Sequence, residues 1–140
     1  MSGRFFLDTN IFVYRFDDNS PAKQQLAEQL IRRALTSHKG VVSYQVVQEF
    51  MNVALRRLTP AMRASEAEEY LTTVFHPLLA IHSSAALYRQ ALNVHDETKF
   101  PWYDSLIVSA AMQAECTTLF SEDLRHGRRI GSLTITNPFL

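Results

Sequence analysis

A chain of 140 residues and 16.0 kDa has room for one domain, and its 46% hydrophobic residues fill a core at that length without help from disulfides or a structural metal. Cys116 is the sole cysteine, which excludes an internal disulfide and a thiolate zinc cage and points to a reducing, cytoplasmic setting. No apolar run approaches the ~20 residues of a membrane span. Asp8 interrupts the N-terminus too early for a signal peptide.

Phe5-Phe6-Leu7 reads as a strand buried on both faces, of the kind parallel sheets use, and runs into Asp8-Thr9-Asn10 and a helix over Ile11 to Phe16. After the turn Asp17 to Pro21, with Ser20 as N-cap, Leu26, Leu30, Ile31, Ala34 and Leu35 recur at helical spacing until His38-Lys39-Gly40. Val41-Val42-Ser43 makes a short strand, and Tyr44 to Leu58 returns to helical period. Thr59-Pro60 caps a further helix with an apolar stripe from Ala64 to Phe75. Leu78 to Ile81 is strand-like, Ser83 or Ser84 caps a helix to about Asn93, and Pro101 opens another to about Ala114. Thr117 to Phe120 and Leu133 to Thr136 supply the last strands. Strand and helix alternate throughout, which predicts one domain over 1–140, an α/β fold: a three-layer α/β/α sandwich around a mostly parallel sheet of four to five strands.

Ligands of such sheets bind beyond the carboxyl ends of the strands. Asp8 follows the first strand directly, and Ser121-Glu122-Asp123 follows Thr117 to Phe120 in the same way. Glu49 lies at the border of an apolar helical arc, beside Val53. Asp104 has Ile107, Val108 and Ala111 as helical neighbours, with no Lys or Arg between Trp102 and Ala114. Taken singly, Asp8 and Asp123 also read as capping or turn acids, Glu49 as a solvated helix acid, and Asp104 as a carboxylate on the helix dipole. Together they would need hard divalent cations, Mg²⁺ or Mn²⁺, because desolvated carboxylates are costly without counter-charge. Such ions activate water and stabilise a leaving oxygen at a phosphodiester. Asp8 and Asp104 would be the inner ligands, Glu49 and Asp123 direct or through water, and Asn10 and Ser121 would orient them.

The zero net charge, from 14 Lys+Arg and 14 Asp+Glu, conceals a useful asymmetry. With Asp8, Glu49, Asp104 and Asp123 set aside, ten acids face 14 bases, and only Lys23, Lys39 and Lys99 among those are lysines. Arginine grips phosphate bidentately. Arg125, Arg128 and Arg129, just after Asp123, are the candidate nucleic-acid contacts, with Arg32-Arg33 and Arg56-Arg57 as further pairs. Trp102 and Tyr103 flank Asp104 and would either stack a base or pack in the core.

Phe6-Leu7-Asp8-Thr9-Asn10, Ser43 to Phe50 with Glu49, Trp102 to Ile107 with Asp104, and Leu119 to Leu124 with Asp123 resemble, in order, the acidic motifs of PIN domains, and among them the VapC-type toxins of toxin–antitoxin pairs. Asn137-Pro138-Phe139 is similar to one branch of these toxins. The resemblance implies a metal-dependent endoribonuclease, usually a homodimer, held inactive by an antitoxin, and favours Asp123 over Glu122 as the fourth acid. It also leaves open a housekeeping RNA-processing nuclease, a DNA nuclease and a non-catalytic binding module. An aspartyl-phosphate phosphatase would want a second Asp at position 10, where this chain has Asn10.

Overall fold

Phe5, Phe6 and Leu7 are each no more than 2% exposed, and a strand buried on both faces belongs in the middle of a sheet. A computed structural model, which describes residues 3–140, puts them there. Met1 and Ser2, where the signal-peptide argument begins, lie outside the described residues. The elements follow as β1 (Phe5–Leu7), α1 (Thr9–Tyr14), α2 (Pro21–Ser37), β2 (Gly40–Ser43), α3 (Tyr44–Ala54), α4 (Ala64–Tyr70), a π-helical turn over Leu71–Phe75, α5 (His76–Leu78), β3 (Leu79–Ile81), α6 (Ala85–Thr98), α7 (Trp102–Gln113), β4 (Thr118–Phe120), β5 (Arg129–Ile130) and β6 (Leu133–Thr136).

The sheet order is β3-β2-β1-β4-β6-β5. All pairings are parallel except β5 with β6. The order reverses at β1, whose neighbours are β2 on one side and β4 on the other, so a crevice opens beyond its carboxyl end. Helices flank the sheet, with α1 against α2 and α3, and α6 against α7. Phe12, Phe50 and Phe75, all fully buried, pack with ring centroids 4.8–6.5 Å apart and join α1, α3 and the π-helical turn. Gly40 is needed where β2 starts against α2, since a Cβ there would lie 2.1 Å from the Ala34 Cβ. No helix among the described residues is long and apolar enough to cross a membrane.

The sheet has six strands rather than four to five. The addition is β5, two residues inside the arginine-rich stretch, too short to carry a hydrophobic period. Helix α3 stops at Ala54 instead of Leu58, because the Val53 carbonyl gathers the N–H groups of Arg56, Arg57 and Leu58 into a tight turn. The next helix starts at Ala64, not at Thr59-Pro60, where Glu66 Oε1 accepts from the Arg63 N–H at 2.9 Å. Helix α6 runs on to Thr98, past Asn93, and Ser84 rather than Ser83 caps it by accepting from the Leu87 N–H. Ser20 stands at the N-cap of α2 without a side-chain capping bond, and Pro21 opens that helix.

Candidate active site

Strand β1 delivers Asp8 to the crevice, and the turn into α1 holds it there. Asp8 is the N-cap of α1: its Oδ1 accepts from the Thr9 N–H at 2.7 Å. Its Oδ2 accepts from Ser121 Oγ at 2.7 Å. Backbone bonds from Asp8 N–H to the Phe120 carbonyl and from Ser121 N–H to the Thr136 carbonyl, both 3.0 Å, align the ends of β1, β4 and β6. The capping and cluster readings of Asp8 are thus both geometrically present. At 7% exposure, burial pushes its carboxyl up to about 6; the Ser121 and Thr9 hydrogen bonds oppose the rise and the charges of Glu49 and Asp123 add to it.

Glu49 projects from α3 and is half-buried. Thr9 Oγ1 donates to its Oε1 at 2.6 Å. Gln45, one turn earlier, donates from Nε2 to Glu49 Oε2 at 3.3 Å and to the Tyr103 carbonyl at 3.0 Å, which ties α3 to the start of α7. Asp104 lies in the first turn of α7. Burial raises its carboxyl above the ordinary range, and the charges of Asp123 and Glu49 raise it further. Asp123 is exposed, in the bend after β4, and its charge reaches both Asp8 and Asp104.

Glu122 faces elsewhere. Lys23 Nζ donates to its Oε2 at 2.6 Å and Tyr14 OH to its Oε1 at 2.5 Å. Burial pushes the Glu122 carboxyl up, yet the hydrogen bonds from Lys23 and Tyr14 outweigh burial and bring it below its usual value. Phe139 closes over this pair, 5.0 Å from the Tyr14 ring and 5.6 Å from Lys23 Nζ.

Asp8, Glu49, Asp104 and Asp123 therefore share one electrostatic neighbourhood, drawn from two strand ends and two helices. None of them belongs to an ion pair among the described residues. Neither do any three His, Cys, Asp or Glu among the described residues stand close enough together to hold one ion. The Oδ1 and Nδ2 of Asn10, two residues from Asp8, are buried without partners. The donor set is entirely hard oxygen and amide, the chemistry that suits Mg²⁺ or Mn²⁺ rather than zinc.

Arg125 and Arg129 are exposed and Arg128 lies over the Phe100 ring at 5.9 Å. Their loop is moored to the sheet by Gly127 N–H to the Ile135 carbonyl, 2.8 Å, and by Asn137 N–H to His126 Nδ1, 2.9 Å. Trp102 is partly buried against the core, with Tyr88 at 5.8 Å, whereas Tyr103 is 66% exposed. Sequence reasoning missed Thr9 and Gln45, although Gln45 stands at helical i,i+4 spacing from Glu49. It also missed the Lys23 and Tyr14 partners of Glu122, for which no local signal exists.

A parallel sheet that gathers uncompensated acids beyond its central strands defines an α/β domain built around an acidic crevice. The PIN domain model matches residues 5–131, and the chain belongs to the PIN domain family. Among solved structures, a toxin–antitoxin complex from Klebsiella pneumoniae superposes with a TM-score of 0.67 at 18% identity, covering 95% of this chain and 96% of that one. The VapBC2 complex of Rickettsia felis, bound to a fragment of promoter DNA, gives 0.62 at 20% identity over 95% and 97%. VapC20 of Mycobacterium tuberculosis, a toxin that cleaves the sarcin–ricin loop, gives 0.59 at 21% identity over 85% and 89%. At these identities the likeness is one of fold. Among curated proteins, none matches this sequence.

Proposed function

We propose that this PIN domain is a Mg²⁺- or Mn²⁺-dependent endoribonuclease of the VapC type, the toxin of a toxin–antitoxin pair, which hydrolyses RNA phosphodiester bonds with an activated water. The observation that carries the reading is Asp8: a buried carboxylate pushed up to about 6, with Glu49 and Asp123 adding to the rise and no cation paired to it. Asp8, Glu49, Asp104 and Asp123 would hold one or two ions between them, Asp8 and Asp104 as inner ligands and Glu49 and Asp123 directly or through water. When bound, a divalent ion supplies a water of lowered pKa and charge to stabilise the leaving oxygen. Ser121 and Thr9 fix the rotamers of Asp8 and Glu49 by donating to them, and Asn10 offers its amide beside Asp8. Arg125, Arg128 and Arg129 hold the backbone of the RNA.

The fold neighbours support the rest of the reading. Two of them are toxin–antitoxin complexes and a third is a toxin that cleaves the sarcin–ricin loop, which supports a cognate antitoxin as partner; the reading adds an RNA substrate, a second copy in a homodimer and a cytoplasmic location. Labelled single-stranded RNA incubated with the protein in Mg²⁺, in Mn²⁺ or in EDTA tests the chemistry. Cleavage in either metal, none in EDTA and none by Asp8→Asn is the expected result; cleavage that survives EDTA or Asp8→Asn would overturn it. A small protein encoded immediately upstream should co-purify and inhibit.

The open spacing of the acids, with no three close enough to share an ion, favours a second reading, a non-catalytic PIN module that binds RNA or protein. Retained RNA binding with no cleavage under any divalent ion would identify it.

A further inference from the structure

We infer that the cleft between the start of α3, the end of β3 and the first turns of α6 and α7 is a subsite for one unpaired nucleobase of the RNA strand. This inference rests on reading the adjacent acids as a ribonuclease centre. Every exposed Phe, Tyr or Trp among the described residues is a tyrosine of this cleft: Tyr44 at 41%, Tyr88 at 44% and Tyr103 at 66%. Apolar side chains scattered singly over a surface mean little; three aromatic rings around one concavity do not arise from core packing. Its volume of about 100 Å³ suits a single planar ring. The imidazole of His82 lies tilted by 34° against the Tyr44 ring at 4.8 Å, a stacking surface already assembled.

A polar group in the same wall lacks a partner. Ser43, at the end of β2, is 3% exposed and lines the cleft. Its Oγ has no hydrogen bond, and it leaves the N-terminus of α3 uncapped by its side chain. A buried hydroxyl without a partner costs stability unless a ligand supplies one, and the edge of a base carries both donors and acceptors.

Gln45 connects this cleft to the acids. It lines the cleft, and its Nε2 donates to Glu49 Oε2 at 3.3 Å and to the Tyr103 carbonyl at 3.0 Å. A base seated beside Gln45 therefore has its own sugar-phosphate at the acidic crevice. The base is the part of a nucleotide that tolerates this neighbourhood, because it is uncharged where phosphate is not. Stacking accepts any base, but only an unpaired one has a face free to lie against these rings, so the cleft selects single-stranded RNA over duplex.

Trp102, the only tryptophan, adjoins Tyr103 and lies 5.8 Å from Tyr88, so its fluorescence reports on occupancy. In EDTA, short single-stranded oligouridylate or oligoadenylate should change the Trp102 emission saturably, and an abasic ribose-phosphate strand of equal length should not. Tyr103→Ala should weaken this binding about tenfold and Tyr103→Phe, which keeps the ring, should preserve it. In Mg²⁺, Tyr103→Ala should raise KM about tenfold with kcat lowered less than about twofold. Equal response to the abasic strand, or wild-type affinity and KM in Tyr103→Ala, would overturn the inference while leaving the ribonuclease intact. Base-dependent quenching that Tyr103→Ala removes, in a protein that cleaves no RNA in any metal, would instead retain the cleft and discard the nuclease.

Discussion

Two acidic neighbourhoods sit one residue apart at the end of β4 and behave in opposite ways. Glu122 turns toward Lys23 and Tyr14, and its carboxyl is held below the usual value despite burial. Asp123 turns toward Asp8 and Asp104, and contributes to holding both above the usual value. The difference is the cation, since Lys23 is 2.6 Å from Glu122 and no Lys, Arg or His pairs with the other group among the described residues. Like charges gathered without a cation store unfavourable energy until one arrives. The first neighbourhood is a structural lock that moors the loop bearing Ser121 and Asp123 to α2; the second carries its charge without a paired cation among the described residues.

Neutralising one acid in each place gives the largest contrast. Asp8→Asn should reduce RNA cleavage by roughly 1,000-fold, as expected when a group holding a catalytic ion is lost, and should raise the melting temperature in EDTA. The substitution is sterically quiet, because the amide oxygen still accepts from the Thr9 N–H and Ser121 Oγ can accept from the new amide. Glu122→Gln should lower the melting temperature, since Lys23 and Tyr14 lose their charged partner. Steady-state cleavage and thermal melts in EDTA check both signs, and a destabilised Asp8→Asn would erase the distinction drawn here.

Metal addition and pH come next. Mg²⁺ at a hundredfold excess over its dissociation constant should add about 2.7 kcal/mol, on the order of 10 °C in melting temperature, and Asp8→Asn should remove most of that gain. Without metal, the Asp8 carboxyl rises from 3.8 to about 6 on folding. Between those values the folded chain keeps a proton that the unfolded chain has released, so stability falls as pH rises through about 4 to 6 and is flat above; the total is roughly 3 kcal/mol. Glu122 has the reverse linkage, its contribution present above its unfolded value of 4.5 and lost as pH falls through its lowered folded value. Urea melts in EDTA across this window should show the fall in wild type and a much shallower one in Asp8→Asn, where the raised Asp104 carboxyl keeps the same sign.

The central strand and the acid that follows it are legible in the sequence, because their signals are local. Phe5-Phe6-Leu7 is apolar at consecutive positions, so it had to be a central strand, and an acid placed directly after it had to project from the sheet edge. Helix ends were less legible: α3 stops at Ala54 through a backbone turn around the Val53 carbonyl, which apolar periodicity does not report. Strand β5, only Arg129–Ile130, exists because β6 offers it a ladder. The division of labour between Glu122 and Asp123 depends on Lys23, 99 residues earlier in the chain. No spacing rule reaches that far, and only resemblance to PIN domains had separated the two acids.

The finest test supplies the missing cation. Gln45 already places its amide 3.3 Å from Glu49 Oε2, and Lys at that position, four residues before the acid on the same helix, would bring an ammonium to the same oxygen while still able to donate to the Tyr103 carbonyl. An ion pair of this kind contributes about 1 kcal/mol or less, and a cation in the first turn of α3 gives back part of that to the helix dipole, so Gln45→Lys should raise the melting temperature in EDTA by about 1–3 °C. The increment that Mg²⁺ adds should shrink by a similar amount, because the built-in charge relieves the repulsion that the ion would otherwise relieve. A lower melting temperature in EDTA with an undiminished Mg²⁺ increment would mean that crowding among Asp8, Glu49, Asp104 and Asp123 is not what leaves this crevice short of a ligand, and the contrast with Glu122 would lose its physical basis.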